Sequence, residues 1–420
     1  MKSISTFNRR YLLPAMAPFE EAVQAACVAE EIPGAVLLAV DKSGKFKYGK
    51  AFGKRSVHPG ADQSPLGLDS VMWIASCTKV VTALAALQCC ERGLLALDAP
   101  IYDVLPEFRR LPVIRGFNDD GSPVLEAHTK PITLRLLLNH SSGLAYDDIN
   151  PTLLAWHKWH RTAPNFSNVV ESRHGHPLVF EPGDSWFYGP GVDWAGVAVE
   201  RVTGVSLQRY FDENIFRKVG ARDIVFSSHL HTRPDLRARI VDMSRRDPRD
   251  PKKTRRGTAR LQFNERGGCL GGAGLFGSPV DYLKVIRGLL ATDGDRGLLG
   301  KETADEFFRP CLGDKAKKAL NRFLEVESSR VSMGNLPGSV MKDWALGGLV
   351  NEGDVPGGRK AGTMTWSGLP NITWFVDRTS GLCGLYAAQL YPPGDAKLGE
   401  LTELFERGIY NLYSRISPLL

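Results

Sequence analysis

Apolar positions along this chain fall into helical and strand-like patterns. From about Pro14 to Glu31, apolar and acidic residues recur at helical spacing, which predicts an amphipathic helix. Ile32-Pro-Gly-Ala-Val-Leu-Leu-Ala-Val40 is a short apolar run. A turn at Asp41-Lys-Ser-Gly44 and a second run from Phe46 to Phe52 complete the signature of a β-hairpin with a Gly-containing turn. From Ser76 to Arg92 the positions Val80, Val81, Leu84, Ala85 and Leu87 are helical, and Gly93 stands where a C-cap glycine belongs. Thr133 to Asn139 reads as another short helix. The stretch 96–209 is mainly helical and loop-rich, and it gathers Trp156, Trp159, Trp186 and Trp194. A helix around Val280–Leu290 alternates with long irregular stretches. Strands are then predicted at Trp344–Val350, Lys360–Trp366, Asn371–Val376 and Leu382–Gln389, followed by a helix from about Ala396 to Tyr413. Strands near both ends with helices between them predict a mixed α/β (α+β) fold, one sheet built from both chain ends with a helical insertion. The expected division is an α/β lobe from 1–95 and 210–420 and a helical lobe from 96–209.

Composition adds limits. The chain has 420 residues, 43% hydrophobic and 24% charged, the balance of a soluble globular protein with a substantial core. No run approaches the roughly 18 apolar residues of a membrane span. The opening Met1–Tyr11 lacks the pattern of a secretory signal, and Ser417–Leu420 carries no peroxisomal or prenylation address, so the expected location is cytoplasmic. Cys27, Cys77, Cys89, Cys90, Cys269, Cys311 and Cys383 are odd in number and scattered, which predicts reduced thiols and neither a disulfide framework nor a zinc site. The formal charge of +7 is concentrated between Arg237 and Arg260, with Arg239, Arg245, Arg246, Arg249, Lys252, Lys253, Arg255 and Arg256. Such a run reads as a solvated, flexible loop, or as a docking surface for an acidic partner such as an acyl carrier protein. Without interleaved aromatics it does not read as a nucleic-acid site.

Several chemistries are absent as motifs: there is no G-x-S-x-G elbow, no Walker loop and no H-E-x-x-H. Gly272-Ala-Gly-Leu-Phe-Gly277 matches G-x-G-x-x-G in form, but no βαβ unit surrounds it, so it reads as a glycine-rich turn and implies no nucleotide. What remains is Ser76-Cys-Thr-Lys79 at the start of an apolar helix. There Ser76 and Lys79 share a face, one turn apart. The Ser76 N–H lies at a helix N-terminus, where an oxyanion is favoured. A buried lysine is biased toward its neutral, proton-accepting form. Taken alone, the segment fits an N-capping serine beside a surface lysine equally well.

Further segments break the tie. Leu136-Leu-Leu-Asn-His-Ser-Ser-Gly-Leu144, Glu181-Pro-Gly-Asp-Ser-Trp-Phe-Tyr-Gly189 and Gly272-Ala-Gly-Leu-Phe-Gly-Ser278 follow in order, and Ile32-Pro-Gly-Ala-Val36 precedes. Together they resemble the serine β-lactamase and D-Ala-D-Ala peptidase superfamily, in particular its class C branch of esterases and acyltransferases. Tyr188-Gly-Pro-Gly-Val-Asp-Trp-Ala-Gly196 and Leu369-Pro-Asn-Ile-Thr-Trp374 are similar to segments of fungal acyltransferases within that branch. The resemblance implies the transpeptidase-like fold with a central antiparallel sheet. It implies Ser76 as nucleophile, Lys79 as neighbouring base and Tyr188 as second base. The third superfamily segment maps to Trp366-Ser367-Gly368, which makes the N–H groups of Ser76 and Leu369 the oxyanion donors.

Two departures bear on substrate. The superfamily's Y-x-N is Tyr188-Gly189-Pro190 here, and the third segment has no Lys or His to grip a carboxylate. Both point away from penicillins and peptides and toward neutral esters or thioesters. The implied activity is transfer of an acyl group from a thioester to a hydroxyl of a hydrophobic secondary metabolite, with ester hydrolysis the alternative and a silent binding homologue a more distant one. No metal or organic cofactor is required. His140 reads as structural, and Asp193 and Trp194 as supports of the helix after Tyr188. Trp73, Tyr146 and Trp366, with Ser367 and Gly368, are candidates for the pocket wall, and the aromatics fit a core role equally.

Overall fold

The apolar run near the start of the chain forms β1 (Gly34–Asp41), and every residue of it is buried. Both faces are covered: Val36, Leu38 and Val40 enter the larger core, Ala35, Leu37 and Ala39 a second one. A strand covered on both faces has no polar side to alternate with, which is why its sequence is a continuous apolar run. β2 (Lys47–Gly53) returns antiparallel with Lys47 opposite Val40. It is the sheet's edge, and Lys47 and Lys50 sit at exposed positions along it, a common guard against edge pairing. The computed structural model describes residues 16–257, 267–291 and 297–416.

The other strands come from late in the chain: β3 (Lys342–Trp344), β4 (Leu349–Asn351), β5 (Met364–Gly368), β6 (Ile372–Asp377) and β7 (Leu382–Ala387). The order is β3-β4-β5-β6-β7-β1-β2, antiparallel throughout, so a strand from the start of the chain lies inside the sheet. The predicted single strand Trp344–Val350 is instead the hairpin of β3 and β4. The Ala345 N–H donates to the Gly348 carbonyl at 2.9 Å in the turn between them, and a Cβ on Gly347 would collide with the Phe307 ring, so glycine is required there. The strand expected from Lys360 begins at Met364, after a turn at residues 361–362.

Helices cover both faces. α1 (Pro18–Val28) and, at the far end of the chain, a long helix (Ala396–Ile416, α5 below) lay Phe19, Val23, Leu401, Phe405 and Ile409 on Phe375 and Tyr386. The opposite face carries α2 (Thr78–Glu91), α3 (Gly191–Thr203) and α4 (Pro279–Gly288). α2 is buried continuously from Thr78 to Cys89, hence apolar nearly all round instead of striped. Gly93 after it adopts φ +70°, as a C-cap glycine should.

Elsewhere the structure corrects the sequence reading. A hairpin, Pro112–Phe117 with Pro123–Ala127, lies within the region expected to be mainly helical. Helices Lys301–Phe308, Asp314–Phe323 and Glu327–Ser332 occupy a stretch expected to be irregular. The basic segment is not simply a loop: Ser244–Arg246 pairs with Thr254–Arg256 and with Leu390–Tyr391 in a small sheet. Arg246 is bonded to Asp395 at 2.6 Å and Arg239 to Asp223 at 2.9 Å, while Lys252, Arg255 and Arg256 remain exposed. Arg260, Met1–Tyr11 and Ser417–Leu420 lie outside the described residues. Of the tryptophans gathered in 96–209, Trp186 packs on Trp344 and Trp194 on Phe108 in the core, and Trp159 is exposed. All seven cysteines are free thiols. Among the described residues no helix is long and apolar enough to cross a membrane.

Candidate active site

Ser76 sits in a 3-10 turn, Ala75–Cys77, that runs directly into α2. Its entry is pinned from both sides. Met72–Trp73 pairs with Leu275–Gly277, the Ile74 N–H donates to the Leu275 carbonyl at 3.0 Å, and the Thr78 hydroxyl donates to the Ala75 carbonyl at 2.7 Å. Ala75 is held at φ +45°, a left-handed conformation unfavourable for a residue with a Cβ, and the surrounding bonds hold it there. The turn leaves Ser76 partly accessible between two buried neighbours.

One turn on, Lys79 is buried. Its Nζ lies 2.8 Å from the Gly272 carbonyl, 3.0 Å from the Tyr146 hydroxyl and 3.3 Å from Ser76 Oγ. Asp193, buried in the first turn of α3, holds both of the other partners. It accepts from the Gly272 N–H at 2.8 Å and from the Tyr146 hydroxyl at 3.2 Å. A Cβ on Gly272 would collide with that carboxylate, so the glycine-rich turn serves close approach to Asp193. Burial, and next the charge of Asp193, push the Tyr146 phenol well above its ordinary pKa, so it stays protonated.

Tyr188 lies over the lysine, with the ammonium 4.7 Å from its ring centroid. Its hydroxyl accepts from Trp366 Nε1 at 3.3 Å, and its ring meets those of His140, Trp366 and Tyr146 at 4.8, 5.1 and 5.5 Å. His140 is itself buried at φ +61°, and its Nδ1 accepts from the Gly189 N–H at 3.3 Å, beside Tyr188. Burial, then the neighbouring Lys79, hold its imidazole well below its usual pKa, so it is neutral. The same segment is anchored upstream by Glu181, which accepts from the N–H groups of Thr129 and Lys130 and from Arg115. Burial raises the Glu181 pKa, but these bonds outweigh it and leave it at about 2.

The end of β5 closes the site. A Cβ on Gly368 would collide with the Ile74 carbonyl and lie 3.3 Å from Cys77 Sγ, so the strand abuts the serine turn. Leu369 follows and packs beside Trp73 and Ala75. Trp73 donates its indole N–H to the Ala273 carbonyl at 2.8 Å, tying the serine turn to the glycine-rich turn. Strand alternation sends Trp366 toward Tyr188 and Ser367 the other way: the Ser367 hydroxyl donates to the Ser332 carbonyl, so it serves the fold and not the pocket.

Ser76, Lys79, Tyr188, Tyr146, Trp366 and Gly368 therefore lie together. Sequence reasoning missed the direct bond of Tyr146 to Lys79, and it missed Asp193 as the group joining Tyr146 to Gly272. These partners are 47 and 79 residues apart from Asp193, and no spacing rule links them. The one available signal was an acid in the first turn of an apolar helix.

A serine and lysine at the head of a buried helix, roofed by a tyrosine and closed by a strand end, is the arrangement of one large family. Residues 19–405 match the beta-lactamase family model, and the chain belongs to that family. Within it, the chain is 40% identical over 398 residues to lovastatin esterase of Penicillium rubens, covering 93% of this chain and 97% of the relative. It is 37% identical over 401 residues to monacolin J acid methylbutanoyltransferase of Aspergillus terreus, covering 94% and 96%. A mutant of simvastatin synthase from Aspergillus terreus superimposes with a TM-score of 0.87 at 37% identity, over 94% of this chain and 95% of that one. These relatives are acyltransferases and esterases, and the shared fold is the mixed helix and antiparallel-sheet fold expected from the sequence.

Proposed function

We propose that this protein is a serine acyltransferase that moves an acyl group from a thioester, through Ser76, to a hydroxyl of a hydrophobic polyketide-type metabolite. The observation that carries the reading is the contact of Lys79 with Ser76 at 3.3 Å, in a lysine otherwise fixed by Gly272 and Tyr146. In the first half-reaction Ser76 Oγ adds to the thioester carbonyl while its proton passes to the Lys79–Tyr188 pair. The oxyanion is stabilised by the N–H groups of Ser76 and Leu369. The C–S bond breaks, and the thiolate leaves as a thiol with that proton. In the second half, the acceptor hydroxyl gives its proton to the same pair and attacks the Ser76 ester, and the bond from the acyl carbon to Ser76 Oγ breaks, Oγ recovering the proton as the new ester departs. Tyr146, kept protonated, is a positioning residue and not the base. Trp366, buried and bonded to Tyr188 where relatives that grip carboxylates carry a cation, favours neutral ester substrates over β-lactams. The exposed Lys252, Arg255 and Arg256 offer an acidic acyl carrier protein a landing surface.

Hydrolysis is the second reading, favoured by the likeness to lovastatin esterase. The two differ only in what meets the acyl-enzyme. The test is to load Ser76 with an acyl thioester, confirm the adduct by intact mass and peptide mapping, and chase it with a statin-type alcohol in water. New ester as the main product at saturating acceptor is expected. Free acid dominating with every acceptor makes the protein an esterase, and an adduct on any other residue removes the Ser76 assignment.

A further inference from the structure

Behind Tyr146, three side chains from separate stretches of chain meet at one point. Asp147 follows Tyr146 directly, His157 lies on the helix Pro151–His160, and His176 lies in the segment leading to Leu178. Asp147 and His157 are buried, and His176 is nearly so. Both imidazoles approach the same carboxylate oxygen: His157 Nε2 is 2.9 Å and His176 Nε2 3.0 Å from Asp147 Oδ2. The three ligand atoms lie within 4.8 Å of one another, the one such group of His, Cys, Asp or Glu among the described residues.

Each buried polar atom of this group has a hydrogen-bond partner, and the same geometry also suits a ligand set. His176 Nε2 also lies 2.9 Å from the Arg173 carbonyl, so one N–H at most faces two oxygen acceptors. His157 Nδ1 is 2.8 Å from the Thr162 hydroxyl, a partner of the kind that fixes a metal-bound imidazole by its far nitrogen. If that nitrogen carries the ring's proton, Nε2 turns a lone pair toward the carboxylate. Trp156 lies against both imidazoles, at 5.2 and 5.6 Å, and supplies an apolar shell.

We propose that Asp147, His157 and His176 bind one divalent transition-metal ion of the zinc class, with the Arg173 carbonyl within reach as a fourth oxygen. Two imidazoles and a carboxylate are a ligand set that suits such ions. Bonds of about 2.0–2.1 Å in a tetrahedron place ligands about 3.3–3.4 Å apart, so the contacts seen here need to open by only about 0.3–0.4 Å. The role is structural. The ion replaces the shared protons, clamps three segments together and holds the backbone beside Tyr146, whose hydroxyl fixes Lys79.

The experiment strips the purified protein with a chelator and titrates it with Zn²⁺ and, separately, with Co²⁺. One equivalent should bind, with the visible Co²⁺ bands of a nitrogen-ligated tetrahedral site and a rise in melting temperature. D147N should lose all three responses, as should H176A, which is less buried and serves should D147N fail to fold. S76A should keep them, which separates this site from the catalytic serine. Wild-type protein that takes up no more metal than H176A, or a Co²⁺ spectrum identical in the two, would overturn the proposal and leave a metal-free His–Asp–His cluster.

Discussion

Lys79 Nζ has three polar partners, and only one of them, Ser76, is a proposed reacting group. The other two fix the direction of the ammonium, and both are held by Asp193. Removing the Tyr146 hydroxyl therefore leaves the ring in place but frees the lysine to swing from the serine. A hydrogen bond to a charged group is worth about 1.5–3 kcal/mol, so Tyr146→Phe is expected to lower kcat roughly 10- to 100-fold. KM should change little, since the hydroxyl already has two protein partners. Stopped-flow measurement of acylation, with unfolding curves alongside, checks this. An unchanged acylation rate would show that Gly272 alone suffices to aim the lysine. At this scale the sequence was a good guide to which candidate groups lie together and a poor one to what supports them. Ser76 and Lys79 are three residues apart on one helix, a relation periodicity can display. Tyr146, Asp193 and Gly272 meet only through tertiary packing.

The end of β5 and the serine turn touch through a position where only hydrogen fits. Gly368→Ala forces its new methyl against the Ile74 carbonyl, so the strand end and the turn must part. Overpacking of this kind costs about 1–3 kcal/mol of stability, and loss of one oxyanion donor costs about 10²–10³ in kcat. The expected outcome is a variant that remains folded at 25 °C by circular dichroism yet loses roughly 100-fold or more in kcat. Activity falling only in step with the folded fraction would place the Leu369 N–H away from the reaction. Strands buried on both faces were legible as elements because their apolar runs are continuous, as in β1. The split of Trp344–Val350 into two strands was missed: Gly347-Gly348 offered a turn signal, and the packing of Gly347 against Phe307, from a helix about forty residues earlier, could not be read from the sequence. The basic segment misled for a similar reason: charge density suggested a loop, but Asp395, far along the chain, neutralises Arg246 and lets a strand form.

The whole molecule is a sheet with two unlike sides. One side carries α2 and the candidate site, and the other carries α1 and α5 (Ala396–Ile416), whose Phe405 packs among Phe19, Tyr48 and Tyr386. Phe405→Ala should therefore cost about 3–5 kcal/mol in urea unfolding while leaving kcat within about twofold at temperatures where the protein is folded. A large fall in kcat without unfolding would mean that strain crosses the sheet. The same architecture dictates an order of events. β1 is complete once residue 41 has been made, but β7, its neighbour, ends at residue 387. At about 5–20 residues per second, a ribosome needs roughly 20 to 70 seconds to supply it. Through that interval the first hairpin has an open edge along β1, a template for pairing with another nascent chain. Shielding of this hairpin until β7 has been made is therefore expected to weigh on the yield of folded protein.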